Sequence, residues 1–177
     1  MATYEEIRKA NTEMTCTPIK GKNYAEVPQR INAFRKVYPN GSLTSEIISL
    51  ENGVCVIKAT AADEAGNILG TGHAYEIEGS SFINKGSYIE NCETSAWGRC
   101  LSACGFVGGA SIASAEELQN ALEGQKPVTE EEISKLEALA ESKNVPIGNI
   151  LRAHNLRKIT DMTMNDYVRA VNNLKGM

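Results

Sequence analysis

Hydrophobic and polar positions along the chain change their period twice before residue 105. Apolar residues recur at helical spacing in VPQRINAFRKVY, residues 27–38, where Pro28 suits a first helical turn. Runs that are rich in β-branched residues and alternate in polarity then span 43–50, 54–61 and 68–77. Helical spacing returns from Ser87 to Cys104, and Gly105 follows as a C-terminal cap. The pattern predicts an α+β fold in the order α-β-β-β-α.

The turn residues between the strand-like runs indicate how the strands pair. Asn52 and Gly53 separate the first two runs, and both residue types readily take the positive φ of a tight hairpin turn. The sequence DEAGN, residues 63–67, separates the second and third runs. Short turns join antiparallel neighbours, so the sequence predicts an antiparallel three-stranded β-meander.

One face of the predicted long helix is composed of small and apolar residues. Its members are Ile89, Cys92, Ala96, Trp97, Cys100, Leu101 and Cys104. Alanine and cysteine are small, so this face can bring the helix axis close to the strands, with Trp97 filling the one wide gap. We therefore expect the long helix to cover the meander, with its cysteines as packing residues.

The last third of the chain has helix signals and no strand pattern. Residues 129–132, TEEE, form a capping box, and Thr163 with Asp166 resembles a second one. Three apolar stripes follow at helical spacing, which predicts a small C-terminal helical bundle. From Phe106 the composition shifts to Gly, Ala and Ser. The predicted organisation is a core at 1–113, a connector at 114–128 and a helical appendage at 129–177.

Composition narrows the class of protein. The chain has no apolar run long enough to span a membrane and no apolar N-terminal segment typical of a signal peptide. Five cysteines without a CxxC pair argue against a disulfide framework and fit a reducing compartment, so we expect a cytoplasmic protein. No GxxxxGK[ST] phosphate loop is present, and no cofactor is predicted.

Charge is distributed unevenly along the chain. The net charge is −4, but residues 20–36 carry five cations against Glu26 alone. Lys20, Lys22, Arg30, Arg35 and Lys36 are the cations of this segment. Tyr24 and Phe34 are interleaved with them, a composition typical of grooves that bind single-stranded nucleic acid. The alternative is an amphipathic helix with Phe34 in the core, which we favour for Phe34, whereas Tyr24 precedes the helix.

Arg99 is surrounded by small residues on the predicted long helix. Ser95, Gly98 and Ser102 lie beside it or one turn away, and no carboxylate lies at the spacing of a helical ion pair. A phosphate could approach such a guanidinium closely, and its planar fork of donors suits phosphate oxygens. The structural alternative is a salt bridge to Glu46 or Glu76 of the sheet or to a neighbouring subunit.

The cysteines allow two alternatives to a packing role, a metal site and a thiol active site. Cys92, Cys100 and Cys104 could share a helix face as metal ligands, although structural zinc ligands normally come from turns as well. A thiol nucleophile, Cys104 or Cys100 with His73 as base, would define a small enzyme. Packing residues remain the favoured interpretation, and the predicted function is not enzymatic.

Three segments resemble a known family. They are GKNYAEVPQRINAFRKVYPNGSLTSEI, GTGHAYEIEGSSFINKGSYIENCETSAWGRCLSACGF and GGASIASAEELQNA. Together they resemble phage-encoded single-strand DNA annealing proteins with the Rad-fifty-two-like fold, over about residues 20–122. The family's long helix carries a motif similar to E-A-V-T-D-x-L-K-R-A-L-R-x-F-G, which aligns here through Thr94, Arg99, Leu101 and Gly105. Gly98 and Ser102 stand where the family has two further cations.

The resemblance implies an ATP-independent protein that forms rings or filaments and anneals single-stranded DNA in phage homologous recombination, in the host cytoplasm. The implied DNA contacts come from Arg99 and the basic segment, with Lys85 and Lys58 supplying the charge that the motif lacks. The expected DNA-binding residues are thus Arg99, Lys85, Lys20, Lys22, Arg30, Arg35, Lys36, Lys58 and Tyr24. An oligomeric protein of the same fold that binds RNA or a protein partner is the alternative. The separate C-terminal helices suggest docking to a host single-strand-binding protein.

Overall fold

A computed structural model describes residues 2–81, 83–108 and 115–177 of the chain. Contacts divide it into two compact units, Met1–Ile77 with Ser87–Gln119, and Glu78–Gly86 with Asn120–Met177. Unit 1 contains α1 (Tyr4–Thr12), β1 (Cys16–Ile19), β2 (Lys22–Ala25), α2 (Val27–Val37), β3 (Ser42–Glu51), β4 (Val54–Ala62), β5 (Ile68–Ile77) and α3 (Tyr88–Ala103). The remaining helices are α4 (Ala115–Gly124), α5 (Glu130–Ser142), α6 (Ile147–Ala153) and α7 (Met164–Lys175), with 3-10 helices at Ile83–Lys85 and Ile159–Asp161.

The predicted meander is confirmed. Strands β3, β4 and β5 form one antiparallel sheet in that order, with Ile47 opposite Ile57 and Lys58 opposite His73. Asn52 and Gly53 adopt φ values of 52° and 72°, the positive region that a tight hairpin turn requires. At the second turn the Asp63 carboxylate accepts hydrogen bonds from the backbone amides of Ala65 and Asn67. The turn chemistry therefore fixes the strand order.

Helix α3 packs on this sheet through its small residues, as the sequence predicts. Cys92, Ala96, Cys100 and Leu101 have no exposed surface. The approach is so close that a Cβ atom on Gly72 of β5 would overlap the backbone nitrogen of Cys100 and lie 2.5 Å from the carbonyl oxygen of Ala96. Small residues on both elements thus set the distance between helix and sheet.

The C-terminal end of α3 is capped as predicted. Gly105 has φ of 93°, and the amide of Phe106 donates to the carbonyl of Leu101 at 2.9 Å. This hydrogen-bond pattern leads the chain back into the core, where Phe106 packs edge-on against Phe34 with ring centroids 5.7 Å apart. Phe34 is fully buried, which confirms its assignment to the core.

The N-terminal helix and hairpin of unit 1 were not predicted. A capping box between Thr3 and Glu6 begins α1, and β1 pairs with β2 across a turn at Lys20 and Gly21. Asn11 fixes α1 to the segment after α3: its amide nitrogen donates to the Gly105 carbonyl at 2.8 Å. Its side-chain oxygen accepts from the amides of Val107 and Gly108 at 3.1 and 3.2 Å.

The C-terminal helices form their own core, which confirms the predicted bundle. Leu136 of α5, Ile150 of α6 and Leu174 of α7 are buried together in one apolar cluster. Both predicted capping boxes are present, at Thr129 with Glu132 and at Thr163 with Asp166. The apolar stripes therefore identified the packing faces correctly.

The boundaries of the two compact units do not coincide with the predicted domains, and the predicted connector is divided between the units after Gln119. Residues Glu78–Gly86, which the sequence analysis placed in the core, group with the C-terminal helices. Within the predicted connector, residue 114 lies outside the described residues, as do 109–113 at the end of the predicted core. Among the residues that the structure describes, no helix has the length and apolar character needed to cross a bilayer.

Candidate nucleic-acid interface

The tip of the β1–β2 hairpin presents two exposed lysines. Lys20 and Gly21 form the turn with φ values of 47° and 77°, and Lys22 begins β2 opposite Ile19. Both lysines are exposed, and neither forms an ion pair with any residue that the structure describes. Tyr24 lies two residues beyond Lys22, on the same face of the hairpin, and is half-buried. The hairpin therefore combines two accessible cations with one aromatic ring.

Arg30 does not belong to this accessible set, and its prediction as a DNA contact is corrected. Its side chain has no exposed surface. One guanidinium nitrogen, Nη1, donates to the carbonyl oxygen of Gly98 at 3.0 Å and to the hydroxyl of Ser102. Because these acceptors lie on α3, Arg30 joins α2 to α3 inside unit 1.

The other two cations of α2 are exposed. The guanidinium of Arg35 donates to the Gly41 carbonyl and lies 5.5 Å from the centre of the Phe34 ring. Lys36 forms an ion pair with Glu13 at 2.9 Å. A hydrogen bond from Lys36 lowers the pKa of the Glu13 carboxyl. Arg35 thus has no carboxylate partner among the described residues, whereas Lys36 is held in an exposed ion pair.

Arg99 is exposed on α3, but its small neighbours do not provide space for a phosphate. Its small neighbours Ser95, Gly98 and Ser102 are buried, and two of them contact Arg30. They face the protein interior rather than an incoming phosphate. Arg99 also has an interaction partner in the structure.

Lys58 and Lys85 lie elsewhere. Lys58, on the central strand β4, is half-buried and faces away from α3, between Glu46 of β3 and His73 of β5 in the pairing register. Lys85 ends a 3-10 helix in unit 2 and is exposed. The predicted cations are therefore distributed over the hairpin, α2, α3 and the sheet of unit 1, with Lys85 in the other unit.

The thiols of the α3 face differ in their pKa, and a hydrogen bond with Cys104 lowers the pKa of the fully buried Cys100. Burial raises the pKa of Cys92 to about 12. A hydrogen bond with Cys100, together with burial, raises the pKa of Cys104. His73 is exposed on the opposite face of the sheet, because Gly72 and Ala74 on either side of it face α3. The alternative of a Cys-His pair is therefore not supported by the position of His73.

Metal binding by these cysteines finds no geometric basis among the described residues. The sulfur of Cys92 donates to the Cys55 carbonyl, and that of Cys100 to the Gly70 carbonyl. Within residues 2–81, 83–108 and 115–177, no three histidine, cysteine or carboxylate side chains are grouped as metal ligands would be.

Sequence reasoning missed a second group of cations. Lys135 of α5 and Lys175 of α7 line the same pocket of unit 2 as Lys85. The three lysines come from separate elements, so no spacing in the sequence indicates that they converge. The sequence indicates only Lys85, because of its position before α3.

Residues 31–104 match a family model described as an Slr1353 N-terminal dsRNA-binding domain-like domain. The match covers most of α2, the β3–β4–β5 sheet and α3, which is less than half of the chain. No curated protein matches the chain. The similarity therefore concerns the α-β-β-β-α part of unit 1 and a nucleic-acid-binding type of domain in general, and it does not extend to strand annealing.

Proposed function

We propose that the protein binds nucleic acid through unit 1 and performs no catalysis. The observation that carries this proposal is the similarity of residues 31–104 to a dsRNA-binding domain-like family. The exposed cations of the hairpin tip, with Arg35 and Arg99, provide charges that can contact phosphates. The negative net charge of the chain does not oppose this, since a local field depends on where the charges lie.

The finer proposal is binding and annealing of single-stranded DNA in phage recombination, in the cytoplasm of the bacterial host. It rests on the resemblance of residues 20–122 to phage annealing proteins. The half-buried Tyr24 beside Lys22 supports it, because a ring next to a cation suits an unpaired base and its phosphate. Each protomer offers few cations, so assembly into a ring or filament would sum weak contacts along one strand.

Double-stranded RNA is the second candidate ligand, favoured by the description of the matching family model. Proteins that bind such duplexes recognise their shape and contact phosphates and 2′-hydroxyls rather than unpaired bases. Tyr24 should therefore contribute to the binding of single-stranded DNA, whose bases are unpaired, and not to the binding of double-stranded RNA.

A salt titration tests both levels of the proposal. The full-length protein is titrated against a labelled single-stranded DNA oligonucleotide and a double-stranded RNA of equal length, by fluorescence anisotropy at several salt concentrations. We expect single-strand affinity to fall steeply with salt and complementary strands to anneal faster with protein than without. Tighter binding of the duplex with no annealing would select the second candidate, and no binding of either would end the proposal.

Arg99→Ala tests the contribution of α3 to binding. We expect weaker single-strand binding, while Arg8→Ala, which removes an exposed cation of α1 paired with Glu5, leaves it unchanged. Light scattering with and without the oligonucleotide measures the proposed assembly in the same samples. Wild-type affinity in a folded Arg99→Ala variant would remove α3 from the interface.

We also infer that unit 2 docks a partner, with the host single-strand-binding protein as the proposed one. The separate apolar core of the C-terminal helices supports an independent role. Removal of 129–177 would leave Glu78–Gly86 without the rest of unit 2, because both segments belong to that unit. Point variants on the surface of unit 2 therefore test the docking role better than this truncation. Annealing of bare strands should survive such variants, while annealing of strands coated by the host protein should be impaired.

A further inference from the structure

Unit 2 contains a pocket of about 650 Å³ whose edge carries lysines from three different elements. Lys85 ends the 3-10 helix at Ile83–Lys85, Lys135 lies on α5, and Lys175 lies in the last turn of α7. Glu78 is the acidic residue among the described residues that line the pocket. The lining therefore has a net positive charge, in a chain whose total charge is −4.

The charges of Lys135 and Lys175 remain available to a ligand, whereas Lys85 is exposed and has an interaction partner of its own. Lys135 is paired with Glu131 at 2.6 Å, and that hydrogen bond raises the pKa of the lysine, so it stays protonated at neutral pH. Both side chains of this pair are largely exposed, so solvent screens their attraction and Lys135 can still attract an anion. Lys175 forms no ion pair within the described part of the chain.

The remainder of the pocket lining is mostly aliphatic. Leu139 of α5 and Val168 and Val171 of α7 line it, and all three belong to the apolar cluster of unit 2. Val168 is buried, whereas Leu139 and Val171 are only half-buried and still expose apolar surface. An apolar side chain that covers this surface would be stabilised by the removal of apolar area from water.

We propose that this pocket binds an acidic peptide segment of a partner protein, with carboxylates against the lysines and one apolar side chain on the aliphatic surface. The proposal rests on the partner-docking role of unit 2 and adds the chemistry of the partner. Charge complementarity selects an acidic ligand. Tyr167, the aromatic residue of the lining, is buried and offers little ring surface for base stacking, so the pocket favours a peptide over a nucleic-acid strand.

The test uses the full-length protein and a short fluorescein-labelled peptide of aspartate and glycine residues with a single phenylalanine. Lys85→Glu and Lys175→Glu should each weaken peptide binding about tenfold or more, because each substitution places a like charge against the aspartates. Lys158→Glu, at an exposed position of the same unit outside the pocket, should change the affinity less than about twofold. Peptides in which asparagine replaces aspartate, or serine replaces phenylalanine, should bind more weakly to the wild type.

Val171→Ser provides a variant that leaves every charge in place. The substitution removes part of the aliphatic surface. It should therefore lower the affinity for the phenylalanine peptide and leave the affinity for the serine peptide unchanged. Thermal melts of each variant serve as the control, and they should give the same folded fraction as the wild type.

Three outcomes would overturn the proposal. Peptide affinity in Lys85→Glu and Lys175→Glu could equal that of Lys158→Glu, which places the ligand elsewhere. A single-stranded oligonucleotide could lose affinity in these variants while the peptide does not, which makes the pocket a nucleic-acid site. The asparagine peptide could bind as tightly as the aspartate peptide, which removes the acidic specificity. Oligonucleotide binding by unit 1 is measured in the same variants, so its loss or retention separates the two proposals.

Discussion

The α2–α3 contact and the β1–β2 hairpin tip both place a cation beside small residues, with opposite results. At the contact, Gly98 and Ser102 make room for Arg30, which is fully buried and bonded to both. At the hairpin tip, Gly21 completes a turn with φ of 77°, and Lys20 and Lys22 remain in water. The same residue types serve internal packing in one region and exposure in the other, so a basic segment in a sequence does not by itself define a binding surface.

The largest expected effect is the loss of Arg30. Arg30→Ala should destabilise the protein by about 3 to 5 kcal/mol, because it leaves a cavity and removes the donor from two buried acceptors. Chemical denaturation of the variant measures this. Arg30→Lys is the matched control, and it should recover only part of the loss since an ammonium cannot reproduce the planar fork. Full stability in Arg30→Ala would mean that the α2–α3 contact does not depend on this residue.

The next largest effect should distinguish a glycine packed against α3, Gly72 of β5, from the glycine of the hairpin tip, Gly21. Gly72→Ala should cost about 3 kcal/mol, because the new Cβ meets the α3 backbone, which cannot move as a flexible side chain can. Gly21→Ala has open space around its Cβ, so it should cost only the strain of a positive φ, about 1 kcal/mol. Thermal melts compare the two variants. Equal costs would show that backbone strain, not the close approach of helix and sheet, governs both sites.

Lysines of the hairpin tip should affect binding rather than stability. The double variant Lys20→Ala, Lys22→Ala should unfold within about 0.5 kcal/mol of wild type. Its logarithmic salt slope for single-stranded DNA should fall by about 1.4, since each lost phosphate contact removes about 0.7. Anisotropy titrations at several salt concentrations measure the slope. An unchanged slope would place the strand on another surface of unit 1.

Thiol labelling should show the smallest difference between the regions. Cys92 lies in the buried α3 face with a pKa raised to about 12 by burial, so it stays protonated and shielded at pH values well below 12. Cys16 of β1 is half-buried and should react with iodoacetamide first. Peptide mass spectrometry of briefly labelled native protein measures the order. Early labelling of Cys92 would indicate that α3 separates readily from the sheet.

Local patterns in the sequence were sufficient to predict the helices and strands of much of unit 1 and the helices of unit 2. The hairpin turn at Asn52 and Gly53 and the capping box at Thr129 depend on residues next to each other in the chain, and both are present as predicted. The T-x-x-E sequence from Thr3 to Glu6 is the same kind of signal and would have identified α1. Hairpin β1–β2 has strands of four residues each, too short for alternation to be distinctive.

The candidate sites depend on contacts between distant residues, which local patterns do not contain. Arg30 and Gly98 are separated by 68 positions, so the sequence did not show that the small face beside Arg99 would admit another arginine. The lysine pocket likewise forms only when Lys85, Lys135 and Lys175 are brought together by folding of unit 2. Tertiary packing decides which cations remain accessible, and the one-dimensional charge pattern cannot.

The three hydrogen bonds of Asn11 have a consequence for how the chain folds during synthesis. Their partners lie 94 to 97 residues later, at Gly105, Val107 and Gly108. A ribosome that adds about 5 to 20 residues per second needs roughly 5 to 20 seconds to deliver them. For that interval α1 leaves the exit tunnel without its final neighbours. Helix α1 is therefore synthesised well before the residues that secure it, and a nascent chain that stalls before residue 105 exposes it to proteases and chaperones.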